Sequence, residues 1–319
     1  MKEINIEEVG NVHIGHCTDK EHATGCTVVI SEQFAPTGLC VLGGGPASRE
    51  TELTKPVADS QGLNAVVLTG GSAFGLDCAG GVMEYLEQQD IGYDTYVTKV
   101  PLVCASAVFD LGVADHKVRP DRSFGYEAAR AAMEGDELSW GNVGAGTGCS
   151  VGKIGGAPHA MKSGIGTYAV DINGLKIGAI TAVNAMGDIF DGKEQIAGYR
   201  KDEETLGSTM DELINLTCPN LFSTNTTITI VLTNAKFNKT EMNKVAQVAI
   251  NGYARTIWPV NSSADGDSLY AMSVGDYPAN LDVVCALSSQ VVEQAIINTI
   301  KNTEGAYGLP SYKDMQKKR

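Results

Sequence analysis

Residues 167–184 read TYAVDINGLKIGAITAVN. The Asn173-Gly174 pair at their centre is the strongest short hairpin signal, because a type I′ turn needs two successive residues at positive φ. The flanking runs, Thr167–Ile172 and Leu175–Asn184, have the β-branched and apolar character of paired strands. An antiparallel hairpin in mid-chain argues against a purely parallel, doubly wound sheet. Helical and strand-like segments mix on both sides of it, so the expected class is α+β, built as a layered sandwich.

Toward the N-terminus, Thr27–Ile30, Leu39–Leu42 and Ala65–Thr69 are short β-like runs bounded by Gly or Pro. Phe74–Gln88 predicts a helix, with Leu76, Ala79, Met83 and Leu86 on one face. Ser72 is the expected cap of that helix, and Ser123–Glu134 predicts another. Toward the C-terminus, Thr205–Leu216 predicts a helix stopped by Cys218-Pro219, and Thr226–Thr233 predicts a strand. Asn238 and Glu241 have the spacing of a capping box for a helix that buries Met242, Val245 and Ala249. Ser268–Val274 reads as a strand. Leu281–Ile300 reads as a long helix with Val284, Leu287, Val291 and Ala295 inward, and the stretch from Gly308 to Arg319 as a polar, mobile tail. No linker divides the chain, so residues 1–319 are expected to form one domain.

The composition narrows the function. Net charge is −14, and an acidic surface repels phosphate, so neither nucleic acid nor an anionic membrane is an expected partner. Met1–Gly10 lacks the apolar core of a secretory signal, and no run of 18 or more apolar residues is present, so no membrane span is expected. Eight cysteines form no CxxC pair, which points to reduced thiols and a cytoplasmic protein. The five histidines show no ligand spacing, so neither a metal nor a cofactor is expected.

Glycine is enriched: 37 residues, about 12% of the chain against a usual ~7%. Nine lie within 141–166, GNVGAGTGCSVGKIGGAPHAMKSGIG. This is not a P-loop, because Thr147 stands where GxxxxGK needs Gly and Ile154 follows Lys153. A dinucleotide GxGxxG fails at Cys149, and a GxSxG elbow fails at Phe74.

An enzyme without a histidine dyad or metal can activate a hydroxyl with the α-amine of the same residue, once cleavage has exposed it. That amine has a pKa of about 7.7–8.0, so it accepts a proton near neutrality. Asn225-Thr226 fits, since the polar stretch Pro219–Asn225 ends abruptly at a strand opening with Thr226. On local sequence alone the plainer reading, threonines serving only as strand formers, stands ahead.

Six ordered motifs change that weighting. GGGPASRET (43–51), VVLTGGSAFGLD (66–77), GNVGAGTG…GK (141–153), AVNAMGD (182–188), NTTITIV (225–231) and DGD (265–267) resemble those of the self-processing β-aminopeptidase and nylon-oligomer hydrolase family. The likeness is greatest to its threonine branch, the 6-aminohexanoate-oligomer endohydrolases. The resemblance implies a four-layer α/β/β/α sandwich and autocleavage between Asn225 and Thr226, giving chains 1–225 and 226–319 that stay associated, as a tetramer of processed protomers. It implies Thr226 as nucleophile, Lys153 beside it, Asn184 as oxyanion donor, and Asp265 and Asp267 as the acidic pair. That pair would hold Lys153 and the Thr226 amine or bind a substrate ammonium, converging if Gly266 takes positive φ. Relatives often carry an active-site tyrosine where this chain has Phe109, so Phe109 is expected at the substrate without a phenol donor. The substrate implied is a polyamide oligomer or a short peptide. A β-aminopeptidase on free N-termini and an amino-acid acyltransferase of related fold are the competing activities.

Overall fold

The computed structural model describes residues 1–215 and 225–318. Asn173 and Gly174 both take positive φ, 54° and 95°, and join the strands Ile165–Ile172 and Leu175–Asn184. These two belong to a six-stranded sheet. Its order is Lys2–Ile4, Ile165–Ile172, Leu175–Asn184, Thr226–Ala235, Ser268–Tyr277 and Thr37–Val41. Neighbours run antiparallel except Thr226–Ala235 and Ser268–Tyr277, which are parallel. A five-stranded sheet follows the order His13–Asp19, Thr24–Ala35, Leu63–Thr69, Val103–Ala107 and Ser48–Arg49, with one parallel pair between Leu63–Thr69 and Val103–Ala107.

Strand alternation sorts the side chains into three apolar layers. Val28, Ile30, Ala65 and Val67 pack under the helices Cys78–Gln88 and Arg122–Glu134. Their strand neighbours Val29, Val66 and Leu68 point the other way and meet Ile180, Ile228, Ile230 and Leu232 of the larger sheet. The opposite face of that sheet, with Ile177, Ala179, Val231 and Leu269, packs on the helices Lys239–Ala249, Asn251–Thr256 and Leu281–Asn302. Helix, sheet, sheet and helix therefore stack in four layers, as expected.

Leu281–Asn302 is long and apolar enough to cross a bilayer by length and composition. Here it is a core helix: Val284, Val291, Val292, Ala295, Ile296 and Ile300 are buried against the sheet. The Asn238–Glu241 capping box forms. Three expectations need correction. Ser72 is not a cap; it sits at φ 54° inside a 3-10 turn, Ser72–Asp77, and the α-helix proper starts at Cys78. The tail from Gly308 is docked, not mobile: Tyr312–Lys318 is a helix, Ser311 bonds Asp314, and Met315 is buried in the helix-side core. The helix expected over Thr205–Leu216 starts later, at Thr209, and is described to Asn215. Its stop at Cys218-Pro219 and the polar stretch up to residue 224 lie outside the described residues.

Candidate active site

The alternation that builds the layers also aims the site. Ile228, Ile230 and Leu232 face the gap between the sheets, so Thr226 faces it too. Asn184 lies directly opposite Thr226 across the antiparallel pair, and Ala182 and Ile180 place it on the same face. Thr227 falls on the helix side, next to Thr229, whose hydroxyl receives the Tyr253 hydroxyl at 2.8 Å.

Asn225 forms a parallel bridge with Asp265. The N–H of Gly266 donates to the Asn225 carbonyl at 2.9 Å, and the Thr226 hydroxyl donates to the same oxygen. Gly266 is there for close approach: a Cβ would lie 2.7 Å from Thr226 Oγ1. It does not take the positive φ expected of it.

Asn184 is held at both ends of its amide. Ser150 N–H donates to its Oδ1 at 3.1 Å, and its Nδ2 donates to the Phe109 carbonyl at 2.9 Å. One donor and one acceptor fix the amide orientation. Lys153 donates from Nζ to the Asn184 carbonyl at 2.9 Å. Gly152, at φ 70°, lets the glycine loop pass backbone to backbone against Gly198 before Lys153. Lys153 is half-buried as a residue, yet its ammonium reaches the carbonyl of a fully buried asparagine. Burial lowers its pKa to about 7, while Asp265, Asp110 and Asp267 pull the other way.

Asp267 accepts backbone N–H groups from Thr227 at 2.6 Å and Asn261 at 3.0 Å, and Asp265 accepts from Ser262 at 2.7 Å. Both are buried: Asp267 ties Thr227 to the 261–267 loop, and Asp265 fixes that loop at Ser262. Burial, then the charge of Asp265, pushes the Asp267 carboxyl up to about 7. Phe109 lines a cavity beside Lys153. The structure thus gathers Thr226, Asn225, Lys153, Asn184, Asp265, Asp267 and Phe109 at one end of the gap between the sheets. Among the described residues, no group of three or more His, Cys, Asp and Glu side chains could hold a metal.

The family model for peptidase family S58 matches residues 5–311. The chain belongs to peptidase family S58. It is 31% identical to an uncharacterised aminopeptidase of Mycobacterium leprae, over 97% of this chain and 93% of that protein. It is 25% identical to a 6-aminohexanoate-oligomer endohydrolase of a Kocuria species, over 91% of this chain and 84% of that protein. The solved L-aminopeptidase D-Ala-esterase/amidase of Ochrobactrum anthropi, a variant of the Ntn hydrolase fold, superposes with a TM-score of 0.68 at 17% identity, covering 98% of this chain and 92% of that one. The S58 chain is accordingly an enzyme that hydrolyses amide bonds, on an Ntn hydrolase fold.

Three supports of this S58 site escaped the sequence reading. The Gly266 N–H is one. Asp110, beside Phe109, accepts Thr24 Oγ1 and the Gly71 N–H, each at 2.7 Å, and so fixes the segment whose carbonyl holds Asn184. Lys162 is fully buried and donates to the carbonyls of Gly146, Cys149 and Ser163. It ties down the glycine loop that presents Ser150, and burial lowers its pKa to about 8. Lys162 stands in an apolar context, Ala160-Met161-Lys162, which is the one local hint it offers.

Proposed function

We propose that the chain cuts itself between Asn225 and Thr226, and that the freed Thr226 is the nucleophile of a hydrolase acting on small linear amides, such as 6-aminohexanoate oligomers or short peptides. The observation that carries this reading is the pair of donors on one carbonyl: Gly266 N–H and Thr226 Oγ1 both on the oxygen of Asn225. In self-processing, Thr226 Oγ1 rotates off that oxygen and attacks the carbonyl carbon. The Gly266 N–H receives the developing oxyanion, a role worth roughly 10²–10³ in rate where such a donor has been removed from other enzymes. An Asp of the 265/267 pair takes the hydroxyl proton; a carboxyl near 7 is a far better base than an ordinary aspartate. The C–N bond breaks as the Asp returns that proton to the leaving nitrogen, which becomes the Thr226 amine, and water hydrolyses the resulting ester to leave Asn225 as a C-terminus.

In turnover the new amine accepts the hydroxyl proton as Thr226 attacks a substrate carbonyl, returns it to the leaving amine, and then takes a proton from the water that hydrolyses the acyl-Thr226 ester. Asn184 Nδ2 supplies the oxyanion donor. Lys153, its pKa held near 7 by burial, disfavours a second positive charge nearby when it is protonated and so keeps the amine neutral and able to accept the proton. A cut at 225/226 leaves the strand Thr226–Ala235 hydrogen-bonded to Leu175–Asn184, so the fragments 1–225 and 226–319 stay associated. Thr226→Ala tests the reading: it should give an uncut, inactive chain, while Thr226→Ser retains both cutting and turnover. A Thr226→Ala protein that hydrolyses amides at the parent rate overturns it.

A further inference from the structure

The cavity beside Lys153 has a wall chemistry that the reaction itself does not require. It holds about 260 Å³. A water occupies ~30 Å³ of liquid and a methylene about as much, so there is room for roughly eight such groups. Most of the wall is apolar: Phe109, Val113, Ala114, Ala157, Ala160 and Leu309. Two further wall residues, Ser150 and Lys153, are the ones bonded to Asn184, which sets the nucleophile's side of the cavity. The remaining phenol, Tyr307, donates its hydroxyl to the Lys20 carbonyl at 2.9 Å. Among the described residues the wall carries no carboxylate. The carboxylates near the site, Asp110, Asp265 and Asp267, are buried and engaged with N–H or hydroxyl donors.

We propose that this cavity receives an uncharged hydrocarbon acyl chain, and that it rejects an acyl group with an ammonium close to the scissile carbonyl. An ammonium there loses its hydration and meets mostly apolar side chains, a serine, a phenol already engaged with the Lys20 carbonyl and a lysine, with no carboxylate among the described wall residues, an arrangement that strongly disfavours a charge. A methylene chain gains from the same walls. The acyl part is assigned to the cavity because it stays attached to the nucleophile through both half-reactions. The assignment rests on Thr226 as nucleophile and goes further: it names a neutral acyl amide, and not a free N-terminal β-amino acyl group, as the preferred substrate.

The test uses the processed enzyme and p-nitroanilides of acetic, butyric, hexanoic and 6-aminohexanoic acids and of β-alanine. Anilide release gives kcat/KM, and acid-quenched intact mass shows which fragment carries the acyl group. β-Alanyl and butyryl have nearly the same shape, so their ratio isolates the charge. The expected result is a rise of about three- to ten-fold per methylene from acetyl to hexanoyl, with β-alanyl about a hundred-fold below butyryl. The 6-aminohexanoyl group, its charge far from the carbonyl, falls much nearer hexanoyl. Ala114→Asp places a carboxylate on the exposed rim at a residue whose φ is 54°, a conformation aspartate tolerates better than most residues. It should raise the β-alanyl to butyryl ratio at least ten-fold. A β-alanyl anilide cleaved as fast as the butyryl one, a rate independent of chain length, or no cleavage of the hexanoyl anilide overturns the proposal. Normal length dependence with no acyl adduct on 226–319 instead overturns Thr226 as nucleophile and leaves the cavity assignment standing.

Discussion

Gly266→Ala separates folding from chemistry at the scissile bond. The added Cβ would stand 2.7 Å from Thr226 Oγ1, 3.0 Å from the Gly45 carbonyl and 3.3 Å from Pro46 Cα. Ordinary contact begins at 3.4 Å, so the hydroxyl must retreat by about 0.7 Å. A threonine hydroxyl can do this by turning about χ1, and the backbone at 266 is not in the left-handed region, so alanine brings no φ strain. The Gly45 carbonyl has to give a few tenths of an ångström. The stability cost is then about 1–2 kcal/mol. The chemical cost is larger. A nucleophile displaced by ~1 Å loses on the order of 10²-fold, and a weakened oxyanion donor adds to that loss. Self-processing should slow at least ~50-fold while Tm moves by only a few degrees. Freshly purified protein followed by denaturing gel over hours, with a parallel melt, reads both. Two fragments at the parent rate would refute the role given to the Gly266 N–H.

Other changes probe the remaining groups. Replacing Asp265 and Asp267 together by Asn should leave the chain uncut on a denaturing gel; normal processing sinks their part as base. Lys153→Met should abolish turnover while Tm at pH 7 and below stays level or rises. The sign follows from a lysine pKa lowered in the fold to about 7: below that pH the lysine is charged in both states and folding carries its full burial cost, which is relieved only as pH climbs from 7 toward 10.5. A Tm several degrees lower contradicts this. Lys162→Met strips partners from three carbonyls of the glycine loop and should cost ~3 kcal/mol, read as a Tm loss of roughly 5–10 °C together with slower processing. For the uncut chain, processing should quicken about ten-fold per pH unit up to ~7 and then level off, as Asp267 loses its proton. A rate that falls across this range contradicts the part given to Asp267.

What the sequence disclosed, it disclosed through local chemistry. Asn173-Gly174 named its turn because few residues accept two positive φ angles in succession. Asn238 and Glu241 named a helix start through hydrogen bonds three residues apart. Thr27–Ile30 and Ala65–Thr69 showed as strands through short runs bounded by Gly or Pro, while the split of Val28 from Val29 and of Val66 from Val67 onto two faces came only with the fold. The candidate site was legible differently: Thr226, Lys153, Asn184 and the two aspartates came from a resemblance, since apart from its place at the start of a strand nothing local sets Thr226 apart from Thr227. The strand register does set them apart, turning one toward the gap between the sheets and the other toward the helices. The groups that went unread depend on distant closures. Asp110 meets Thr24, 86 positions away, and the Gly266 N–H meets a carbonyl 41 positions before it. Ser72 misled because its hydroxyl suits a cap while its backbone, following Gly71 at φ 76°, enters a 3-10 turn. The tail misled because polar composition hides Met315 and Tyr312, which pack on the helix-side core.

Intact mass under denaturing conditions weighs the proposed self-cleavage directly. Two species are expected, with the masses of residues 1–225 and 226–319, both absent from Thr226→Ala. A single mass for the full chain in an enzymatically active sample, or a boundary at 226/227, contradicts it.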